Sequence, residues 1–290
     1  MMNPVLERLQ RYALQPRKAL GQHFLVEPHT LTRLAETIGA GPGDTVLEFG
    51  AGVGVLTEQL LARGASVVAV ELDDALADLL QQELGGYAGF RLIRGDLTQV
   101  SAPALCAELG IPRLKLAGNL PYQLTSHVLF SVLDLEEGLA DATFMVQREV
   151  AERIVSPPGS REYGILSVLL HAYHDVELVM RVKAGAFVPP PRVESAVLHI
   201  VPRETGPALS WKERPALVRL VKSTFNERRK VLRNTLKKFY GLDAAAVTAL
   251  EATSRLDLGR RPETLSVGEF VQLLHALPVA PTPPNREVGR

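Results

Sequence analysis

The sequence predicts an α/β fold with a mostly parallel sheet of about seven strands, followed by a small all-helical domain. Three observations support this prediction. Short apolar runs alternate with helical periodicity between residues 45 and 150, a pattern typical of βαβ units. Two more strand-like runs follow before residue 202, the second rich in β-branched residues. From Trp211 onward only helical periodicity is visible.

The apolar runs define the predicted strands in chain order. They are Thr45–Phe49, Ser66–Leu72, Phe90–Ile93, Leu114–Ala117, Thr143–Val146, Val176–Val182 and Ser195–Val201. Helical periodicity predicts one helix ending at Arg63, a second ending near Leu84 and a third over Gln147–Val155.

The predicted domain boundary lies at about residues 205–210, in a loop-like stretch. It divides the chain into a first domain over 1–205 and a helical domain over 210–277. The remaining residues, 278–290, contain four prolines and no periodicity, and we expect them to form a disordered tail.

Composition excludes several classes of protein. The chain has 290 residues, of which 46% are hydrophobic and 22% charged, as in ordinary globular proteins. The single cysteine, Cys106, excludes an internal disulfide and a cysteine-based zinc site, and no other metal-ligand spacing is visible. We expect no signal peptide, because residues 1–14 lack an apolar core, and no membrane span, because no run reaches about 18 apolar residues. A reducing, cytoplasmic setting is the simplest interpretation.

The formal net charge of zero hides an asymmetry along the chain. Residues 31–110 contain four basic and eleven acidic side chains, a net charge of −7. Residues 211–240 contain ten basic and two acidic side chains, a net charge of +8. We therefore expect the two stretches to meet different partners.

Polar residues follow four consecutive predicted strands, at the edge of a parallel sheet where ligands bind. The first strand carries Glu48 and leads into a glycine loop; the other three end in two carboxylates and an Asn-aromatic pair. These residues are Gly50, Gly52, Gly54, Glu71, Asp96, Asn119 and Tyr122. A glycine loop followed about 20 residues later by an acid predicts a cofactor of the adenosine type.

Charge separates two candidates for this cofactor. The pyrophosphate of NAD tolerates little negative charge nearby. Glu48 and Asp96 lie at the same predicted edge as the loop, which favours S-adenosylmethionine, since this molecule has a sulfonium, an ammonium and no phosphate.

The segment Asn119–Tyr122 (NLPY) suggests the methyl acceptor. An exocyclic adenine amine is a poor nucleophile because its lone pair is delocalised into the ring. The Asn119 side-chain oxygen and the Leu120 carbonyl could accept its two protons and make the nitrogen more nucleophilic. Tyr122 could stack on an extruded base, an interaction worth about 1–3 kcal/mol.

These motifs together resemble the small-subunit (16S) ribosomal RNA adenine N6,N6-dimethyltransferases of the KsgA type. The resemblance runs from about Leu14 to Leu277 and includes Lys18–Leu25 (KALGQHFL), similar to the N-terminal signature of that family. It implies a Rossmann-like class I methyltransferase domain, with residues 14–30 capping the cofactor pocket, and a helical rRNA-binding domain. It also implies that S-adenosylmethionine is bound by His23, Leu25, Gly50, Glu71, Asp96 and Asn119.

Two further motifs extend the resemblance. Phe187–Ser195 (FVPPPRVES) resembles the substrate loop of the family, in which Phe187 would face the target base opposite Tyr122. Residues 225–236 resemble the signature of its helical domain. Four basic residues there are expected to lie within two helical turns and to bind RNA phosphates, namely Arg228, Arg229, Lys230 and Arg233.

The resulting prediction is an enzyme that dimethylates N6 of adjacent adenosines near the 3′ end of 16S rRNA, coupled to small-subunit biogenesis. The expected product is S-adenosylhomocysteine, the expected partner is the small ribosomal subunit, and we expect a monomer that uses no metal. One alternative is a large-subunit rRNA adenine methyltransferase of the macrolide-resistance type; residues 225–236 and 261–270 favour the small-subunit branch. A DNA adenine methyltransferase fits less well. A mainly non-catalytic assembly factor is the third alternative, and it would need the basic domain but not Asn119.

Overall fold

The computed structural model describes residues 3–278, and most of the predicted tail lies outside this range. The chain forms two compact units. The first contains the residues up to 155 together with 174–204, and the second contains 156–173 together with the residues from 205 onward. Residues 156–173 thus group with the helical unit, although they precede the last two strands of the sheet.

The first unit is built on a seven-stranded sheet. The described part of this unit contains nine strands, of which seven form this sheet. In chain order they are β1 (Phe24–Leu25), β2 (Thr45–Phe49), β3 (Ser66–Glu71), β4 (Phe90–Arg94), β5 (Leu114–Asn119), β6 (Leu139–Gln147), β7 (His174–Val182), β8 (Phe187–Val188) and β9 (Ser195–Pro202). The sheet has the order β4-β3-β2-β5-β6-β9-β7, and β9 runs antiparallel to both of its neighbours while the other pairs are parallel. The predicted mostly parallel, seven-stranded α/β fold is confirmed. The short strands β1 and β8 form a separate antiparallel pair.

The described part of this unit also contains seven α-helices. They are α1 (Pro4–Arg11), α2 (Pro28–Ile38), α3 (Val55–Ala62), α4 (Asp74–Leu84), α5 (Ala102–Leu109), α6 (Thr125–Asp134) and α7 (Arg148–Val155). The central strand β2 is buried over Val46–Phe49, as expected for a parallel strand covered on both faces.

The strand order creates a crevice beside β2. Its parallel neighbours are β3 on one side and β5 on the other. Strands β3 and β4 are added on one side of β2, and β5 and β6 are then added on the opposite side, so the order of strand addition reverses at this point. Ligands of open α/β sheets bind outside the carboxyl ends of the strands at such a point. The glycine loop after β2 and the segment after β5 therefore meet: a Cβ atom added to Gly50 would lie 3.8 Å from the Asn119 carbonyl oxygen.

The second unit is helical in its described part. Its helices are α8 (Ile165–Tyr173), α9 (Arg214–Asn226), α10 (Leu232–Tyr240), α11 (Ala244–Ser254) and α12 (Val267–Ala276). Aromatic side chains form part of its core: Phe225 stacks on Phe270 with ring centroids 6.1 Å apart, and Tyr173 stacks on Trp211 at 4.1 Å.

The basic segment of this unit differs from the prediction. We expected its four basic residues within two turns of one helix, but a turn separates α9 from α10. The reason is tertiary hydrogen bonding: the N–H groups of Leu232 and Arg233 donate to the carbonyls of Arg260 and Leu258, each at 2.9 Å. These N–H groups open a new helix instead of continuing the previous one.

Candidate active site and cofactor cleft

The glycine loop forms one wall of the cleft. Gly50, Gly52 and Gly54 have φ angles of +74°, +59° and +76°, where side-chain-bearing residues are strained. A side chain at Gly52 or Gly54 would also be crowded by neighbouring residues. A Cβ atom on Gly52 would lie 3.1 Å from the Phe24 ring, and one on Gly54 would lie 2.6 Å from Leu80. The backbone of the loop can therefore approach a ligand closely.

Glu71, at the end of β3, is buried and oriented by backbone N–H groups. Its carboxylate accepts hydrogen bonds from Gly52 at 2.8 Å and from Asp73 at 2.9 Å. Burial raises the pKa of Glu71, although these two hydrogen bonds oppose the shift. The contact with Gly52 joins the acid to the glycine loop.

Glu48 also lines the cleft but lies deeper. Its side chain is buried, at 2% exposure for the residue, and its carboxyl group accepts a hydrogen bond from the Thr57 hydroxyl at 2.6 Å. Burial raises the pKa of Glu48 to about 8, the Thr57 hydrogen bond opposes this shift, and the Glu71 carboxylate adds to it. A positive charge placed in the cleft would favour its ionised form.

Asp96 lies at the open rim and behaves differently from the two glutamates. Its side chain is exposed and accepts a hydrogen bond from the Thr98 N–H at 2.8 Å, which lowers the pKa of the carboxyl group. Because the side chain is exposed and lines the cleft, a ligand can reach this carboxylate. Asp96 is thus suited to accept from an amine at the rim.

The segment after β5 is held in place at several points. Asn119 donates from its side-chain amide to the His23 carbonyl at 2.9 Å, and the Leu120 N–H donates to the Met145 carbonyl at 3.0 Å. The Tyr122 hydroxyl lies 3.0 Å from the Ser195 hydroxyl. Among the described residues, nothing donates to the Asn119 side-chain oxygen. This oxygen is therefore a preoriented acceptor.

The N-terminal segment closes the cleft over these groups. The His23 ring stacks on the Tyr122 ring with centroids 6.0 Å apart, and the His23 Nδ1 donates to the Pro189 carbonyl at 2.7 Å. Leu25 is buried and pairs with Phe187 across β1 and β8. Both His23 and Leu25 line the cleft, together with Gly50, Glu71, Asp96 and the segment Asn119–Tyr122.

Phe187 lies elsewhere. Its side chain is buried and belongs to the hydrophobic core with Leu25 and Leu34, and it is not among the residues that line the cleft. The stacking role predicted for Phe187 remains a prediction. In this structure the ring anchors its loop to the core.

Two residues near the cleft were not identified from the sequence. Arg8 of α1 is buried, and its guanidinium donates to the Val53 carbonyl in the glycine loop at 2.8 Å and to Glu58 at 2.7 Å. Asp73 is buried, caps α4 and accepts from Gln22 at 3.1 Å, which ties the N-terminal segment to β3. Asp73 could have been identified from its position directly before a predicted helix. No local sequence pattern points to Arg8.

The four basic residues of the second unit fall into two groups. Arg228 donates to the carbonyls of Arg161 and Ser160 at 2.6 and 3.4 Å, and Arg233 lies 3.5 Å from Glu251. Arg229 and Lys230 are exposed, and within residues 3–278 neither forms an ion pair. Of these four residues, only Arg229 and Lys230 are therefore fully available to a phosphate.

Neither a metal centre nor a membrane-spanning helix occurs in the part of the chain that the structure describes. Residues 3–278 contain no cluster of three or more His, Cys, Asp or Glu side chains arranged to hold a metal ion. None of the helices in this range has the length and apolarity that crossing a bilayer requires.

The strand order and the cleft define a Rossmann-like methyltransferase. The model of the ribosomal RNA adenine dimethylase family matches residues 13–277, so the chain belongs to this family. This confirms the predicted enzyme class, an rRNA adenine dimethyltransferase.

Individual proteins show the same relationship. The chain is 45% identical over 276 residues to ribosomal RNA small subunit methyltransferase A of Anaeromyxobacter dehalogenans, covering 93% of this chain and 96% of the relative. The protein of the same name from Geobacter metallireducens is 41% identical, covering 91% and 96%. The crystal structure of the 23S rRNA methyltransferase ErmE superposes with a TM-score of 0.66 at 25% identity, covering 88% of this chain and 99% of that one. A dimethyladenosine transferase from Plasmodium falciparum gives 0.69 at 22% identity, covering 87% and 96%, which supports the fold.

Proposed function

We propose that the protein transfers two methyl groups from S-adenosylmethionine to N6 of each of two adjacent adenosines in a loop near the 3′ end of 16S rRNA, during assembly of the small subunit in the cytoplasm. The observation that supports this best is the orientation of Asn119. A carbonyl oxygen can only accept, so the hydrogen bond to His23 directs the amide nitrogen toward the N-terminal segment. The Asn119 oxygen is left as an acceptor in the cleft.

The cleft fits S-adenosylmethionine better than a dinucleotide. Its lining includes the carboxyl groups of Glu48, Glu71 and Asp96 and no Lys or Arg, which suits a cation and disfavours a pyrophosphate. The glycine loop leaves space for close approach, and Glu71 and Asp96 can accept from hydroxyl and amine groups. When bound, the cofactor would supply an electrophilic methyl group on a positively charged sulfur.

The polar and aromatic groups of the segment after β5 would then act mainly on the adenosine. Asn119 and the Leu120 carbonyl accept from the exocyclic amine, and Tyr122 holds the base by stacking. Fixing the amine in the line of attack supplies most of the acceleration, because it removes the entropy cost of an encounter. The nitrogen becomes acidic once methylated, so its proton can pass to water without a strong base.

The choice of RNA is the finer part of the proposal. The relatives named small subunit methyltransferase A match nearly the whole chain, including the second unit, which supports the small subunit as substrate. The match to ErmE favours large-subunit RNA as the alternative, since it also covers 88% of the chain. A mainly non-catalytic assembly factor would not need the preoriented Asn119.

Methylation of defined substrates tests the proposal. Labelled S-adenosylmethionine would be incubated with small subunits that lack the modification, with naked 16S rRNA and with large subunits, followed by mass spectrometry of the nucleosides. We expect N6,N6-dimethyladenosine only from small subunits. Label in large-subunit RNA would support the alternative, and binding without any label would support the assembly factor.

A further inference from the structure

A second cavity adjoins the cleft in the first unit. Gln22, His23 and Tyr122 line both cavities, so the two adjoin at Tyr122, which we propose stacks on the target base. The other residues of the second cavity lie in the N-terminal segment, at the end of β6 and in the loop before β9. They are Lys18, Gln147, Pro189, Pro190, Arg192 and Val193.

Charge differs sharply between the two cavities. The cleft is lined by three carboxyl groups and no Lys or Arg, whereas the second cavity is lined by Lys18 and Arg192 and no Asp or Glu. Both cations are exposed, and among residues 3–278 neither forms an ion pair. The adjacent acid, Glu194, is already paired with Arg148 at 2.7 Å. Lys18 and Arg192 are therefore available to an anion.

The walls of the second cavity are held in place. Pro189 accepts from the His23 ring at 2.7 Å, and Ser195 at the far end of the loop contacts the Tyr122 hydroxyl at 3.0 Å. Phe24 pairs with Val188 in the short sheet just before the loop. Arg192 thus projects from a loop that is anchored at both ends. Beside it, Val193 is 46% exposed and offers apolar surface next to the charge.

We propose that this cavity binds the sugar–phosphate backbone on either side of the target adenosine, with Lys18 and Arg192 each contacting a phosphate. Pro190 and Val193 form the apolar surface against the neighbouring ribose. The proposal rests on the function proposed above, since the RNA substrate of that function supplies the phosphates. Contacts to phosphate position a strand without reading its sequence, so the cavity holds the strand while the base enters the cleft.

The test compares Lys18→Gln, Arg192→Gln and the double variant with a control, Arg113→Gln. Arg113 is also exposed, but it precedes β5 and so lies at the opposite edge of the sheet from the cleft. Methyl transfer to unmodified small subunits would be measured over a range of salt concentrations, and binding of S-adenosylmethionine would be measured by calorimetry.

We expect each single variant to raise KM for the subunit by about 5- to 10-fold, with kcat and cofactor affinity within about twofold of the unmodified protein. The dependence of log affinity on log salt should become shallower by about 1.4 in the double variant, or about 0.7 for each single-strand phosphate that is no longer neutralised. Arg113→Gln should change neither quantity. Variants that match Arg113→Gln in KM and in salt dependence would overturn the inference. Absence of methyl transfer by the unmodified protein would instead refute the proposed function.

Discussion

The side-chain amide of Asn119 donates a hydrogen bond to the backbone carbonyl of His23, 96 residues earlier in the chain. This bond joins the end of β5 to the segment that closes the cleft, and the ring of the same His23 bonds to Pro189. The N-terminal segment therefore orients Asn119, the acceptor that we propose for the adenine amine. An ordered active site requires that this segment be folded over it.

Two substitutions at Asn119 test the side-chain acceptor and its orientation. Asn119→Ala removes the acceptor, whereas Asn119→Asp keeps an acceptor but turns a carboxylate oxygen toward the His23 carbonyl. We expect both to lower the rate of methyl transfer by about 10²–10³-fold in single-turnover experiments, as is typical when one oriented polar group is removed from a reaction site. Small-subunit binding should stay within about twofold.

Gln123→Ala is the matched control for this comparison. Gln123 directly follows the segment Asn119–Tyr122, is exposed and does not line the cleft, so this variant should methylate normally. Normal methylation by Asn119→Ala would mean that the catalytic role belongs to other groups.

Much of the sheet could be predicted because parallel strands buried on both faces are continuous apolar runs, as in β2 and β3. The ligand edge followed from the same runs, since polar residues stand where each strand ends. Glu71 and Asn119 could therefore be predicted to lie at the same edge of the sheet, although they are 48 positions apart in the sequence.

The remaining features depend on partners that are distant in sequence. Helix α1 is stabilised by contacts such as that of Arg8 with Val53, 45 residues away, and no local pattern indicates them. The basic segment looked like one helix because its break comes from carbonyls at residues 258–260. The proline run after Phe187 predicted a ring at the mouth of the cleft, whereas strand pairing with Leu25 places the side chain in the core.

Glu48 should make the stability of the protein depend on pH. Its pKa is about 8 when folded and 4.5 in the absence of burial, so the folded state retains a proton that the unfolded state has lost. The free energy of unfolding should therefore fall as pH rises from about 4.5 to about 8, by at most about 5 kcal/mol. Glu48→Gln should remove this contribution to the dependence, while an exposed control, Glu36→Gln, should keep it.

Urea unfolding at about pH 5 and about pH 8 measures this effect. The expected result is a smaller difference between the two pH values for Glu48→Gln than for the unmodified protein. If the two proteins respond equally to pH, Glu48 does not hold its proton in the folded state.

Arg8 should support both the fold and the cofactor cleft. Arg8→Met leaves the Val53 carbonyl and the carboxylates of Glu58 and Glu83 without their buried partner, which should cost about 2–3 kcal/mol of unfolding free energy. Affinity for S-adenosylmethionine should also fall, since Val53 belongs to the glycine loop. Calorimetry and urea unfolding measure the two effects.

Arg11→Met is the control for Arg8, because Arg11 lies on the same helix and also pairs with Glu83 but is 52% exposed. Exposed pairs are worth at most about 1 kcal/mol, so this variant should be nearly neutral. Equal destabilisation in the two variants would show that only the helix as a whole matters.

The basic residues of the second unit should divide by function. Arg228 donates to the carbonyls of Ser160 and Arg161 and lies 3.9 Å from Glu263, so Arg228→Ala should act mainly by lowering thermal stability. Arg229 and Lys230 are exposed and, among residues 3–278, form no ion pair, so replacing both by Glu should leave stability within about 0.5 kcal/mol. The same change should weaken small-subunit binding and make it less sensitive to salt, because two phosphates would no longer be neutralised. Melting curves and filter binding at several salt concentrations distinguish these results, and unchanged binding by the Arg229 and Lys230 variant would remove this surface from the RNA interface.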